Sequence, residues 1–215
     1  MSEADRGSIL DEVKVSAVVF DLGGVLIDWD PRHLYRSLFD GDETAMETFL
    51  ATVCTPEWNR QQDTGRPWSE AVATLVADHP EQRELITAYW ARWPETLGDA
   101  IDPTVEVLAD VRAAGVPVYA LSNWSAETFP LARPRYPFLA WFDGIVISGE
   151  VRAAKPDRRI YETLLERFDL RPDTIVFVDD VAENVGAAES LGIRSILFTD
   201  ARALRRELAG LGLPV

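Results

Sequence analysis

The stretch of sequence that decides the fold runs from residue 15 to residue 26 and reads VSAVVFDLGGVL. Val15–Phe20 is a short, apolar, mainly β-branched run, which is typical of a strand buried on both faces of a parallel sheet. Such a strand carries Asp21 at its carboxyl end, and Gly23 and Gly24 then allow a tight turn that can direct backbone N–H groups toward an anion. A strand that ends in an Asp-Gly turn also occurs without a function, so both interpretations stay open for this motif alone.

The same pattern recurs along the rest of the chain. Four more short apolar runs are predicted as strands: Val116–Leu121, Ile145–Ser148, Thr174–Asp179 and Ser195–Phe198. Helical patterns lie between them, over Pro103–Ala114, Tyr161–Phe168 and Val185–Leu191, with Asp102 expected to cap the first helix and Gly115 to end it. Strands that alternate with helices predict an α/β fold with a doubly wound, mainly parallel, Rossmann-like sheet.

A long segment without a convincing strand separates the first two predicted strands. Its pattern is mostly helical, over Leu34–Phe39, Ala45–Val53, Ser69–Ala77 and Glu84–Trp93. About sixty residues are too many for one crossover connection. We therefore expect an α/β catalytic core from residues 1–30 and 97–215, and a helical cap from residues 31–96. The cap would lie beside the carboxyl end of the sheet, where ligands bind in such folds.

Composition and charge restrict the class of protein. Hydrophobic residues make up 47% of the 215 residues, enough for a sizeable core, and the net charge is −15, from 36 acidic and 21 basic residues. Such a surface repels nucleic acids and anionic membranes, so neither is an expected partner. A small phosphate ester can still bind if a metal ion, a lysine and backbone N–H groups reverse the sign locally.

The expected location is the cytoplasm. The single cysteine, Cys54, cannot form an intramolecular disulfide and favours a reducing compartment. No stretch approaches the roughly 20 apolar residues of a membrane span. Residues 1–14 are acidic and polar and lack the features of a signal peptide.

Polar side chains follow other predicted strands or the loops after them. Ser122 and Asn123 come directly after the strand that ends at Leu121, although Ser-Asn is also common turn chemistry. Lys155 is one of only two lysines in the chain. It can act as a compact positive charge for a phosphate or a crowded carboxylate, or it can be a solvated surface residue.

The pair Asp179 and Asp180 ends another predicted strand, and Asn184 lies in the helix that follows. Two adjacent carboxylates at the end of a buried strand repel each other and raise a pKa, and a divalent cation removes that cost. Mg²⁺ prefers oxygen ligands and retains several waters. The pair therefore indicates a magnesium site.

Together, these clusters resemble the motifs of the haloacid dehalogenase-like hydrolase superfamily, in the same order and at the same strand ends. Asp21-Leu22-Gly23-Gly24-Val25 resembles the first motif, Ser122 the second, Lys155 the third, and Asp179-Asp180 with Asn184 the fourth. The resemblance extends from Val15 to about Phe198. The helical segment between the first two motifs is similar to the family's first-type cap.

The resemblance implies a role for each of these residues. Asp21 would be the nucleophile and form an aspartyl-phosphate that water then hydrolyses. Lys155 would shield Asp21 from the incoming phosphate and stabilise the charge that develops on transfer. The implied phosphate-binding groups are Gly24, Ser122, Asn123 and Lys155. The implied Mg²⁺ ligands are Asp21, the Gly23 carbonyl and Asp180, with Asp179 and Asn184 orienting ligands and waters around them.

The sequence departs from the family pattern at Gly23. Phosphatases of this superfamily usually carry a second Asp at this position, two residues after the nucleophile, and it protonates the leaving oxygen. General acid–base catalysis contributes about 10²–10⁴-fold, so the loss matters unless another group replaces it. Asp28 and Asp30, in the following loop, are candidates, and the alternative is that both are solvated loop carboxylates.

Other residues leave a choice between substrate contact and structure. The segment Trp58–Arg66 mixes an aromatic side chain, amides and charges around a glycine turn, and it can contact the substrate or form a solvated turn. Trp124 can line the mouth of a pocket or pack inside the protein. Trp90 and Trp93, at helical spacing, are expected in the core of the cap.

The leading hypothesis is a Mg²⁺-dependent phosphatase of a small phosphorylated metabolite, with sugar phosphates as the first class to test. A haloacid dehalogenase, in which Asp21 attacks carbon without a metal, also fits Gly23. Dehalogenases that resemble this chain, however, place Ser and Asn where it has Asp179 and Asp180. A third hypothesis is a non-catalytic phosphate-binding or interaction module. The oligomeric state is not predicted.

Overall fold

The computed structural model describes residues 14–215. The prediction that residues 1–14 lack the features of a signal peptide therefore lies outside the described residues, apart from Lys14. Residues 14–100 contain three short strands and five α-helices. In order, these are β1 (Ala17–Phe20), β2 (Ile27–Trp29), α1 (Pro31–Leu38), α2 (Glu43–Thr52), α3 (Pro56–Asp63), α4 (Trp68–Asp78), α5 (Arg83–Ala91) and β3 (Leu97–Ala100).

The rest of the chain alternates helices and strands. In order, the elements are α6 (Asp102–Ala113), β4 (Val118–Ser122), α7 (Phe129–Ala132), β5 (Gly144–Ile147), α8 (Ser148–Val151), α9 (Arg158–Arg167), β6 (Ile175–Asp179), α10 (Ala182–Glu189), β7 (Arg194–Leu197) and α11 (Ala201–Gly210). Across residues 14–215, the helices are all too short or too polar to cross a membrane.

Five of these strands form one parallel sheet in the order β5-β4-β1-β6-β7. β1 lies in the middle, and all of its residues are buried. Val18 and Phe20 belong to one hydrophobic core, while Ala17 and Val19 belong to a second core. Because side chains alternate between the faces of a strand, the sheet is packed on both faces. The predicted α/β fold with a doubly wound, parallel sheet is confirmed.

Two local predictions are wrong. Asp102 is the first residue of α6, and Ile101 holds the cap position without a side-chain hydrogen bond. Trp90 is 38% exposed, whereas Trp93 is buried as expected. The helical spacing does not continue from Trp90 to Trp93, because α5 ends at Ala91 and Trp93 lies in a 3₁₀ turn.

The five helices between β2 and β3, called the helical insert below, contain an aromatic cluster that belongs to the same hydrophobic core as Val18 and Phe20. The rings of Trp58, Trp68 and Tyr89 lie 5.4–5.6 Å apart. Trp58 belongs to α3, a helix that was not predicted although its start carries two standard signals. Pro56 is its first residue, and the Thr55 side chain accepts the Trp58 N–H at 3.1 Å. The antiparallel pairing of β2 with β3, also not predicted, joins the two ends of the insert.

One hydrogen bond ties the start of α4 to the α/β core. Pro67 holds the cap position of α4 and provides no side-chain acceptor. Instead, the Trp68 N–H donates to Glu127 Oε1 at 2.9 Å, and Glu127 lies in the segment between β4 and α7. The insert therefore rests on the loop that follows the carboxyl end of β4.

Candidate active site

Asp21 stands at the carboxyl end of the central strand. Its N–H donates to Val178 O at 2.8 Å, and the Leu22 N–H donates to Asp21 Oδ1 at 2.7 Å. Burial raises the pKa of Asp21 to about 6, with Lys155 acting against the shift and Asp179 adding to it. The carboxylate is therefore held in one orientation, with Oδ1 engaged in this turn.

The Lys155 ammonium lies between two carboxylates. Its Nζ is 2.9 Å from Asp21 Oδ1 and 2.7 Å from Asp179 Oδ2, and its side chain is almost completely buried. Burial alone lowers the pKa of Lys155, but the two carboxylates outweigh it and hold the pKa above its usual value. Lys155 is thus a fixed positive charge beside Asp21, and the alternative of a solvated surface lysine is wrong.

Asn123 holds the backbone of Lys155 in place. Its Nδ2 donates to Lys155 O at 2.9 Å, and its Oδ1 accepts the Lys155 N–H at 2.8 Å. The Asn123 amide has a second Nδ2–H, so Asn123 can offer a phosphate this group and its backbone N–H. The preceding residue, Ser122, ends β4 and lines the same cavity as Asp21.

The two carboxylates at the end of β6 have different surroundings. Asp179 is fully buried: its Oδ1 accepts from the Val181 N–H and from Asn184 Nδ2, both at 2.9 Å, and its Oδ2 pairs with Lys155. Asp180 is exposed and lines the cavity. Partial desolvation of the carboxyl group within the cavity, followed by the charge of Asp179, raises the pKa of Asp180. Asp179 is therefore held by its neighbours, while the Asp180 carboxylate borders the cavity.

Asp21, Asp179 and Asp180 form a cluster that could hold a metal ion. One carboxylate oxygen from each lies within 4.8 Å of the others. Three carboxylates beside one lysine leave an excess of negative charge, which a divalent cation would compensate. Carboxylate oxygens are also the donors that Mg²⁺ prefers. The residues present therefore fit the magnesium site that the sequence indicates.

A cavity of about 440 Å³ opens over this cluster. Asp179 is buried against Lys155 and Asn184. All other residues predicted from the motifs line the cavity: Asp21, Gly23, Gly24, Ser122, Asn123, Lys155, Asp180 and Asn184. The structure thus brings every predicted site residue to one place.

The helical insert supplies the facing wall of the cavity. Asn59, Arg60 and Asp63, all on α3, line it. These three residues lie in a helix and not in the predicted turn, and Arg60 is exposed to solvent. Contact of this segment with the substrate stays a prediction. The sequence contained a start signal for α3, but no local pattern shows which face of an isolated helix will meet the core.

Three tryptophans also line the cavity. Trp29, Trp93 and Trp124 all border the cavity, and the rings of Trp93 and Trp124 lie 5.6 Å apart. Trp124 thus both packs and lines the site. No sequence signal predicted that Trp29 lines the cavity, because its position depends on the pairing of β2 with β3.

Neither loop carboxylate considered as a replacement acid lines this cavity. The Asp30 side chain accepts the Arg32 N–H at 2.9 Å and caps the start of α1. Asp28 Oδ2 lies 3.0 Å from His33 Nε2. Both carboxylates thus have local partners outside the cavity that contains Asp21.

The chain belongs to the haloacid dehalogenase-like hydrolases, since the model of this family matches residues 15–192. The sesquiterpene phosphatase astK of Aspergillus oryzae is 29% identical over 193 residues, which cover 89% of this chain and 94% of that protein. A phosphorylated carbohydrates phosphatase of Thermotoga maritima is 29% identical over 192 residues, which cover 85% of this chain and 84% of that protein.

Solved structures share the fold. A haloacid dehalogenase family enzyme of Bacteroides thetaiotaomicron, in complex with magnesium and inorganic phosphate, has a TM-score of 0.65 at 22% identity, over 86% of this chain and 95% of that one. An L-2-haloacid dehalogenase of Xanthobacter autotrophicus has a TM-score of 0.60 at 18% identity, over 94% of this chain and 85% of that one. At these identities the similarity establishes the fold.

Proposed function

We propose that this protein is a Mg²⁺-dependent phosphatase of a small phosphorylated metabolite. The observation that carries the proposal is the placement of Asp21 beside the buried Lys155 ammonium, with the Asp180 carboxylate exposed in the same cavity. This arrangement combines a fixed nucleophile, a fixed positive charge and an uncompensated acidic group. Similarity to two phosphatases over most of the chain supports it.

The reaction would proceed in two steps at Asp21. A carboxylate oxygen of Asp21 attacks phosphorus and the bond to the leaving oxygen breaks, which gives an aspartyl-phosphate. Water then attacks the phosphorus of this intermediate and releases inorganic phosphate. The Ser122 hydroxyl and the N–H groups of Gly24 and Asn123 would bind the phosphoryl oxygens, and Lys155 would stabilise the charge that develops on them.

Asp21, the Gly23 carbonyl and Asp180 would hold Mg²⁺, which when bound would offset negative charge between the phosphate and the carboxylates. Asp179 would keep its role of fixing Lys155 and Asn184, because both of its oxygens already accept hydrogen bonds. In this proposal the helical insert is a cap that covers the core and contacts the leaving group, since Asn59, Arg60 and Asp63 face the motif residues across the cavity.

The two other hypotheses fit the site less well. A dehalogenase needs no cation, yet here the exposed Asp180 carboxylate lies beside Asp179, which leaves negative charge that only a cation would balance. A non-catalytic phosphate-binding module would not need the Asp21 carboxylate at the anion site, where it repels a bound phosphate. Both hypotheses predict that no phosphate ester is hydrolysed.

A substrate screen tests the proposal. Phosphate release is measured over a panel that includes sugar phosphates and isoprenoid phosphates, with Mg²⁺ and with EDTA, next to a halide-release assay with 2-haloacids. We expect Mg²⁺-dependent phosphate release that EDTA abolishes, and at least about a 10²-fold loss in Asp21→Asn, because an amide cannot form the acyl-phosphate. EDTA-resistant halide release would instead select the dehalogenase, and absence of both activities would select the binding module.

A further inference from the structure

The structure leaves the place of the usual proton donor empty of side chains. Gly23 has none, and a Cβ built on Gly23 would meet no atom within 4 Å. Asp28 and Asp30 are engaged elsewhere, with His33 and with the start of α1. A phosphatase with this site would have to expel its leaving group unprotonated, or obtain the proton from another wall of the cavity.

The acidic side chains that line the cavity are few. Among the described residues they are Asp21, Asp180 and Asp63. Asp21 is the nucleophile of the proposed function and Asp180 belongs to its metal site, so both must be ionised. This lining contains no histidine, tyrosine or cysteine. Arg60 holds its proton too tightly to donate it, and so does Lys155, whose pKa is held above its usual value by Asp21 and Asp179. Asp63 is thus the remaining group with a suitable proton.

Asp63 is the last residue of α3 and lies where the helical insert meets the core. The backbone N–H of Ser125 lowers the pKa of the Asp63 carboxyl group, and Ser125 follows Ser122 by three residues on the loop after β4. Asn59 Nδ2 lies 3.3 Å from Asp63 Oδ2. Asp63 therefore lies at the contact between the insert and the loop after β4, and it lines the same cavity as Asp21 and Ser122.

The surroundings of Asp63 favour its neutral form. Burial raises the pKa of Asp63 to about 7, and the Ser125 N–H and the Arg60 charge only partly oppose this shift. Tyr89 of α5 is the other ionisable group that interacts with Asp63, and burial holds its pKa well above 10, so it stays uncharged. A substantial fraction of Asp63 therefore carries a proton at neutral pH.

We propose that Asp63, supplied by the helical insert, is the general acid that protonates the leaving oxygen in place of the Asp missing at Gly23. The inference rests on the proposed phosphatase function. As Asp21 bonds to phosphorus and the ester P–O bond breaks, the Asp63 proton moves to the leaving oxygen, which departs as an alcohol. In the second step, water bonds to phosphorus, its proton returns to the Asp63 carboxylate, and Asp21 is released as a carboxylate together with hydrogen phosphate.

The experiment compares Asp63→Asn with the wild-type protein on two kinds of ester. Aryl phosphates such as p-nitrophenyl phosphate have leaving groups of low pKa, which depart without a proton. Alkyl phosphates such as the sugar phosphates have leaving groups of high pKa, which need a proton in order to depart. We expect kcat/KM for alkyl esters to fall about 10²–10⁴-fold and kcat/KM for p-nitrophenyl phosphate to change little. The ratio kcat/KM is used because it reports only the steps up to aspartyl-phosphate formation.

Two further variants separate catalysis from structure. Asp63→Glu should retain part of the activity on alkyl esters. Gly23→Asp in the Asp63→Asn background should restore it, because the space beside Gly23 accepts a side chain and its φ lies outside the left-handed region. Asp28→Asn and Asp30→Asn are matched controls that should leave the preference for aryl over alkyl esters unchanged.

The pH profile provides a readout that a structural role would not change. In the wild-type protein, kcat/KM for alkyl esters should decline above neutral pH as Asp63 loses its proton, and Asp63→Asn should lack this limb. Equal losses on aryl and alkyl esters, an effect on KM alone, or no effect would each overturn the role of Asp63. Activity of Asp63→Asn on p-nitrophenyl phosphate would show that the phosphatase function stands, whereas a wild-type protein inactive on both esters would refute that function instead.

Discussion

The backbone of Gly24 lies directly against the Asp180 carboxylate. Gly24 has a φ of +74°, and a Cβ at this position would overlap the Asp180 side chain. The neighbouring Gly23 is different, because a Cβ there would meet nothing within 4 Å. The two glycines of the motif therefore serve different purposes. Gly24 makes room for the carboxylate of the proposed metal site, while Gly23 leaves space open.

This contrast predicts different outcomes for two alanine substitutions. Gly24→Ala should displace Asp180 and weaken Mg²⁺ binding about 10–100-fold, the range found when groups that position metal ligands are changed. Gly23→Ala should bind Mg²⁺ within a few-fold of the wild-type protein, since it keeps the carbonyl and meets no neighbour. Calorimetric Mg²⁺ titration of both variants provides the measurement, and equal affinities would contradict the assignment.

The two adjacent aspartates should fail in different ways. Asp179→Ala leaves the buried Lys155 ammonium with one carboxylate instead of two, so the free energy of unfolding should fall by about 3–5 kcal/mol. Asp180→Ala removes an exposed carboxylate that Asp179 repels, so stability without metal should be unchanged or higher. Mg²⁺ affinity should instead fall further in Asp180→Ala. Urea denaturation without metal and Mg²⁺ titration give both quantities, and the opposite ranking would exchange the two roles.

Asn123 should act through Lys155. In Asn123→Asp, an oxygen replaces the Nδ2 donor and faces the Lys155 carbonyl, so the two groups repel each other. We expect kcat to drop about 10-fold or more because Lys155 is displaced from Asp21. Asn123→Ala removes both hydrogen bonds without repulsion and should lose less. Steady-state kinetics check this ranking, and a larger loss in the alanine variant would show that the amide acts otherwise.

The pH dependence of stability should contain a contribution from Asp63. Its pKa of about 7 lies above its value in the unfolded chain, so between about pH 4 and pH 7 the folded state binds more protons. Stability is therefore lost as pH rises through this range. Asp63→Asn should flatten that decline by about 4 kcal/mol, since each of the roughly three pKa units corresponds to about 1.4 kcal/mol, measured as the free energy of unfolding at both pH limits. A variant with the wild-type slope would show that Asp63 titrates normally.

The motif residues were predictable because parallel strands end at one edge of a sheet. Asp21, Ser122 and Asp179 each follow a buried apolar run, so their proximity follows from the strand order alone. Lys155 reaches the same edge by a loop. Its own pattern left a solvated surface lysine open, and the resemblance to the third family motif identified it. The strand-end positions of Asp21, Ser122 and Asp179 could therefore be predicted from short stretches of sequence.

The insert side of the site could not be predicted in the same way. Asn59, Arg60 and Asp63 reach the cavity only because α3 packs against the core, and that packing depends on contacts between residues far apart in the chain. Trp90 and Trp93 illustrate the same limit. Their spacing suggests one helical face, but the helix ends at Ala91, and tertiary packing decides which ring is buried.

The hydrogen bond from the Trp68 N–H to Glu127 makes this backbone amide a reporter on the contact between the helical insert and the core. The first turn of α4 receives this acceptor from the core, since Pro67 offers none. Any excursion that lifts the insert to admit a substrate must break this bond and uncover the amide. The rate of deuterium uptake at the Trp68 amide would therefore measure how often this contact opens. Slower uptake with a bound phosphate analogue would show that the ligand stabilises the closed contact.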